Sequence, residues 1–162
     1  MKKVFLVIVF FSFSIGCMAQ SNNFVVANSK ISWENVFISS ETNITNLLAR
    51  HSRLKITSAN GDIYKGVGVN LRNTCPGTDD FLKDDFNFNF EIEVREGKYR
   101  VTISDIVFYK KAKSKKNSTP SEKYFIDKTE IKTGEKSEAD FTCLENYFIK
   151  LFSATTIYKN RS

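Results

Sequence analysis

Histidine is almost absent. His51 stands alone among 162 residues, which excludes a His-based zinc site and a two-histidine proton relay. It falls on the apolar stripe of a predicted helix, where packing explains it better than catalysis. Beyond the first twenty residues no apolar run approaches the ~18 to 20 residues that span a bilayer. Glycine is scarce as well, with 7 in all. Gly66 and Gly68 in YKGVGVN suggest a phosphate loop, yet they sit inside an alternating strand with no helix start behind them. They read instead as places where the strand bends or another backbone comes close. The acidic cluster Asp79, Asp80, Asp84 and Asp85 lacks the alternate-residue spacing and central glycine of an EF-type calcium loop. Charge of one sign is not in large excess: 24 basic residues face 18 acidic ones, and Lys2 and Lys3 lie in the leader described next. Such a balance supports solubility more than binding to a polyanion. Nothing in the sequence calls for a cofactor or a metal.

The opening MKKVFLVIVFFSFSIGCMAQ is present where most else is missing. Two lysines, an unbroken apolar run from Val4 to Phe11 and a small-residue end at Ala19 form a secretory signal peptide over residues 1–19. Cleavage after Ala19 is the preferred route. Ser14-Ile15-Gly16-Cys17 also resembles a lipoprotein box, but with Ser where an aliphatic residue belongs, so lipidation of Cys17 is the alternative. The expectation is an exported chain, periplasmic or secreted, or an outer-membrane lipoprotein if Cys17 is the processed residue. Two cysteines remain in an oxidising compartment, Cys75 and Cys143, and a bridge between them is an open alternative to two free thiols.

Residues 20–30 are polar and aperiodic and read as a tether before a single domain over 31–158. ISWENVFI (31–38) predicts a strand anchored by Trp33. Ser39 and Ser40 offer N-caps for a helix through ETNITNLLARH, with Ile44, Leu47, Leu48 and His51 on one stripe. Two alternating runs around Asn60-Gly61 predict a hairpin that pairs Leu54 with Val67. Its apolar face would hold Leu54, Ile56, Ile63, Val67, Val69 and Leu71, and its other face Tyr64, Gly66 and Gly68.

The clearest pattern follows a polar loop. Phe86, Phe88, Phe90, Ile92 and Val94 alternate with Asn87, Asn89, Glu91, Glu93 and Arg95, and Tyr99, Val101 and Ile103 continue the apolar set. The two sets share a face only if Val94 pairs with Tyr99 and Glu93 with Arg100, around a Glu96-Gly97 turn. Alternation slips at Ser104-Asp105, where a bulge is expected. Residues 110–123, rich in lysine and poor in apolar side chains, read as a mobile loop. YFIDKTEI is a short strand or irregular cover. A final helix carries Phe141, Leu144, Phe148, Leu151 and Phe152 on one stripe, with Ser137 as N-cap and Cys143 off the core face.

The order βαββββα with alternating strands predicts a two-layer α+β domain: an antiparallel sheet with two helices on one face. The stretch FNFEIEVREGKYRVTISDI, with the Trp33-x-x-Val36 strand and an export signal ending in Ala-Gln, resembles a secreted Bacteroidota family of unknown function. Glu93-Val94-Arg95-Glu96-Gly97-Lys98-Tyr99-Arg100 is the most specific part. The resemblance implies a TATA-box-binding-protein-like (TBP-like) half-saddle and brings no catalytic residues with it.

Function is read accordingly as non-catalytic, an envelope domain that binds a protein or a glycan through the open sheet face around Tyr64, Asn87, Asn89, Glu93 and Arg100. A small hydrophobic-ligand carrier is the alternative, and a carbohydrate hydrolase built on two of the available carboxylates comes third. Nucleic acid is not expected as a partner, because a groove-binding saddle needs positive potential and apolar wedges where Glu91 and Glu93 stand.

Overall fold

The computed structural model describes residues 23–39, 43–111 and 116–154. The predicted signal peptide and Cys17 lie outside them. β1 (Phe24–Ala27) and β2 (Lys30–Ile38) lead to α1 (Ile44–Ala49). β3 (Leu54–Asn60), β4 (Ile63–Leu71), β5 (Asp85–Arg95) and β6 (Lys98–Lys111) follow, then β7 (Lys116–Pro120) and the one-turn α2 (Glu122–Phe125). A small hairpin of β8 (Ile126–Asp127) and β9 (Glu130–Ile131) precedes α3 (Glu135–Phe152). The main sheet is antiparallel, ordered β1-β2-β6-β5-β4-β3, with β7 added alongside β6.

The sheet has one dry face. Trp33, Phe86, Phe88, Phe90, Ile92, Tyr99, Val101 and Ile103 are all at most 3% exposed. They meet Ile44, Leu47 and Leu48 of α1 and the stripe Phe141, Leu144, Phe148, Leu151 and Phe152 of α3 in one cluster. Phe148 is the hub. Its ring contacts Trp33 and Phe88 at 5.4 Å each and Phe24 and Phe86 at 6.3 Å each, while Phe152 covers Phe90 at 5.5 Å. Offset and edge-on rings at such separations fill volume without voids. Interlocked aromatics therefore occupy the layer between sheet and helix.

The β5–β6 hairpin has the expected register, with Val94 opposite Tyr99, Glu93 opposite Arg100, and Gly97 in the turn at φ +69°. The bulge at Ser104-Asp105 is present too. Asn87 pairs with Val107 but Asn89 with Ser104, and Asp105 takes φ +50°. The extra residue keeps Ile103 and Ile106 both inward across the slip, as both are buried.

Several expectations are corrected. Of the stretch read as a tether over 20–30, residues 20–22 lie outside the described residues, and residues 23–30 belong to the sheet: Phe24 is buried and β1 hydrogen-bonds to β2 through a two-residue turn at Asn28-Ser29, both at positive φ. Of the loop read over 110–123, residues 112–115 lie outside the described residues, and the rest is regular structure: β7 pairs with β6, and α2 follows from Glu122. Backbone pairing there does not depend on apolar side chains, which is why composition misread it. α1 starts later than predicted. Asn43, rather than Ser39 or Ser40, caps it by accepting from the Asn46 N–H at 3.0 Å, and His51 lies beyond its end.

The β3–β4 hairpin turns at Gly61-Asp62, with Asn60 opposite Ile63, and a bulge between Ile56 and Ser58 shifts the register so that Leu54 pairs with Gly68. The faces of β4 are thereby exchanged. Gly66 and Gly68 face the core and Ile63, Val67 and Val69 do not, because Gly66 pairs with Phe90 and Gly68 with Phe88. The rings take the space the glycines leave empty.

Cys75 and Cys143 are joined by a disulfide, with Cα atoms 6.0 Å apart. Cys143 is 3% exposed, not off the core as its helical angle implied, because the loop after β4 crosses that side of α3. Asn73 in this loop donates its side-chain N–H to the Cys143 carbonyl at 2.9 Å.

Candidate functional site

Strand alternation that buries the phenylalanines sends the intervening residues to the other face. Three rows cross it. Val36, Arg100, Glu93 and Ile63 are successive partners across β2, β6, β5 and β4, and Glu34, Thr102, Glu91 and Lys65 form the neighbouring row. At the hairpin end, Ile38 pairs with Lys98 and Lys98 with Arg95.

Glu93 organises the first row. Arg95 Nε donates to its Oε1 at 2.9 Å, and Arg100 Nη2 donates to its Oε2. The hydrogen bonds from Arg95 first, and then from Arg100, hold the Glu93 carboxyl below the usual glutamate range. Lys65 and Glu91 pair at 2.8 Å in the next row. Around these charges stand exposed aliphatic side chains: Ile38 is 83% exposed, Val36 49% and Ile63 40%.

The five residues expected on this face divide. Glu93 and Arg100 are together, as their register demanded. Tyr64 is on the other side, since it pairs with Ile92 and packs against the core; the exchanged faces of β4 put it there. Asn87 and Asn89 do lie on the open face, but each ties down a neighbouring irregular strand. The Asn87 Oδ1 accepts from the Asn70 N–H at 2.7 Å, where Asn70 is at φ +51°. Asn89 donates to Asp105 at 3.0 Å, across the β6 bulge. The residues missed were Val36, Ile38, Ile63, Arg95 and Lys98. One signal was available: β2 ends in Val36-Phe37-Ile38, apolar on both faces, where a sheet with one solvated face should alternate.

The other candidate chemistries are placed as follows. His51 is half-buried, and burial, then Arg50 and Lys150, lower its pKa. With Cys75 and Cys143 bonded to each other, neither offers it a thiol. Asp80 pairs with Lys83 at 2.7 Å, Asp85 with Arg72 at 3.2 Å, and Asp79 with Lys136. Among the described residues no group of three His, Cys, Asp or Glu could hold a metal ion, and no helix is long and apolar enough to cross a membrane.

What fold and face define together is a two-layer α+β domain with one sheet face packed under helices and the other open. This is the TBP-like fold. It is shared with a TBP-like protein from Parabacteroides distasonis ATCC 8503, at a TM-score of 0.53 and 15% identity, over 79% of this chain and 94% of that one. A DUF4468 family protein from Bacteroides ovatus ATCC 8483 aligns at a TM-score of 0.46 and 16% identity, over 86% of this chain and 94% of that one. At 15% identity the first of these likenesses is one of fold. No family model and no curated protein matches the chain.

Proposed function

We propose that the protein is a non-catalytic, exported binding domain that engages a protein or glycan of the cell envelope through its open sheet face. The observation that carries this reading is the clustering of Val36, Ile38 and Ile63 around the Arg95–Glu93–Arg100 group on a face no element covers among the described residues. Val36 and Ile38 lie side by side on the open face of β2, and aliphatic side chains next to arginines suit a contact surface. The disulfide is compatible with export. Glu34, Glu91 and Glu93 interrupt the positive potential that a nucleic-acid backbone needs, and the filled interior argues against a carrier.

Site-specific photocrosslinking in intact cells tests this. A crosslinker at Ile38 should capture a macromolecule that one at Thr142, exposed on the far side of α3, does not. Equal labelling from the two positions would remove the open face as the working surface.

A further inference from the structure

Resting on that reading, we infer that the hairpin end of the open face takes an extended polypeptide segment that carries acidic and aliphatic side chains together on one face. Val36, Glu93, Arg95, Lys98 and Arg100 line a shallow depression of about 240 Å³ there. Three of the five are cations and one is a carboxylate. Glu93 spends one oxygen on each arginine, which fixes both guanidinium groups in place. Each guanidinium has five N–H donors, so both keep donors for an incoming group. Lys98 has no carboxylate partner among the described residues. The depression thus presents a surplus of positive charge on side chains that Glu93 has already ordered, and binding there forfeits less side-chain entropy than it would at mobile arginines.

The aliphatic residues decide between acidic partners. An anionic polysaccharide would satisfy the cations but leave Ile38 and Val36 against hydroxyl groups, whereas aliphatic side chains of a polypeptide would bury them. Spacing agrees. The Ile38–Lys98–Arg95 row and the Val36–Arg100–Glu93 row are two residues apart along the strands, about 7 Å. That is also the separation of residues i and i+2 of an extended segment, which share a face, so one lying along the strands would set its sheet-facing side chains over successive rows.

The test is an NMR titration of the 15N-labelled protein with a synthetic decapeptide of the repeat Glu-Ser-Leu-Ser, which sets Glu and Leu in turn on one face of an extended chain. Saturable shifts are expected at Val36, Ile38, Glu93, Arg95 and Lys98, with none from a matched Lys-Ser-Leu-Ser decapeptide. Arg95→Glu with Lys98→Glu, at exposed positions, should weaken binding at least tenfold while leaving the core amides of β5 unshifted. The inference falls if the acidic decapeptide gives no saturable shifts, if the double variant binds it equally, or if oligogalacturonate binds the same residues more tightly. Should it fall while a crosslinker at Ile38 still captures a macromolecule, the open face remains the working surface with another partner. Equal crosslinking from Ile38 and Thr142 would instead remove that surface, whatever the peptide does.

Discussion

The ring of Phe90 occupies the space that a side chain at Gly66 would need: a Cβ there would stand 2.2 Å from Phe90 Cζ and 2.4 Å from the Lys55 carbonyl oxygen. The second contact is backbone, held in the β3–β4 ladder, and cannot swing away. Gly66→Ala should therefore cost about 3 kcal/mol, at the upper end of the overpacking range. At Gly68 the obstacles are the ends of Leu71 and Phe88, both at 2.6 Å, and side chains can shift. Gly68→Ala should cost less, about 1–2 kcal/mol. Urea denaturation of the two variants ranks them, and the reverse order would refute the argument.

Tyr99 closes the end of α3. Its hydroxyl donates to the Phe152 carbonyl at 2.6 Å and accepts from the Ala154 N–H at 3.1 Å, which satisfies a carbonyl that the helix terminus leaves orphaned. Tyr99→Phe strands both groups, and a loss of about 1–3 kcal/mol is expected. Faster amide exchange in the last turn of α3, with the β5–β6 ladder unchanged, would locate the effect; uniform acceleration would contradict it.

The disulfide links residues 68 apart in sequence. The chain-entropy model assigns a loop of that size about 4 kcal/mol through the unfolded state. Cys75→Ala with Cys143→Ala should reduce the unfolding free energy by that order. A loss below about 1 kcal/mol would mean that the unfolded chain retains structure that the bridge does not restrict further.

Asp140 should make stability fall as pH rises from the ordinary aspartate range towards neutrality. Its carboxyl accepts from the Asp79 N–H at 2.8 Å and is 2% exposed. Burial raises its pKa most, and the Asp79 carboxylate adds to this against the opposing Asp79 N–H bond and Lys136. A folded-state pKa above the unfolded one means that the folded protein binds the proton more tightly, so stability is lost as pH climbs through the folded value. Asp140→Asn keeps an acceptor oxygen and carries no charge. It should melt at or above wild type at pH 7 and show a flatter profile below it. A variant that melts well below wild type at pH 7 would show that the ionised carboxylate contributes net stability.

Much of this architecture could be read from residue order. Phe86 to Val94 against Tyr99 to Ile103 fixed its own register, because a slip by one residue would have sent a whole apolar set into water. The stripes of α1 and α3 were equally plain. The β3–β4 hairpin was not, since its alternation favours one pairing while Phe88 and Phe90 impose another. Those rings arrive from a strand more than fifteen positions later, and no local pattern in YKGVGVN announces them. The candidate site was half legible: Glu93 and Arg100 followed from the hairpin register, whereas Val36, Ile38 and Ile63 needed their neighbours on other strands to be known.

By itself the sequence determined which side chains must leave water, since two-residue and 3.6-residue periodicities are local properties of the chain. Tertiary structure alone decided which glycines would receive the phenylalanine rings, which loop would cover Cys143, and which aliphatic residues would be left outside beside Arg95 and Arg100. Those outcomes depend on volume competition between segments distant in sequence, and close packing settles such competition only once every partner is in place.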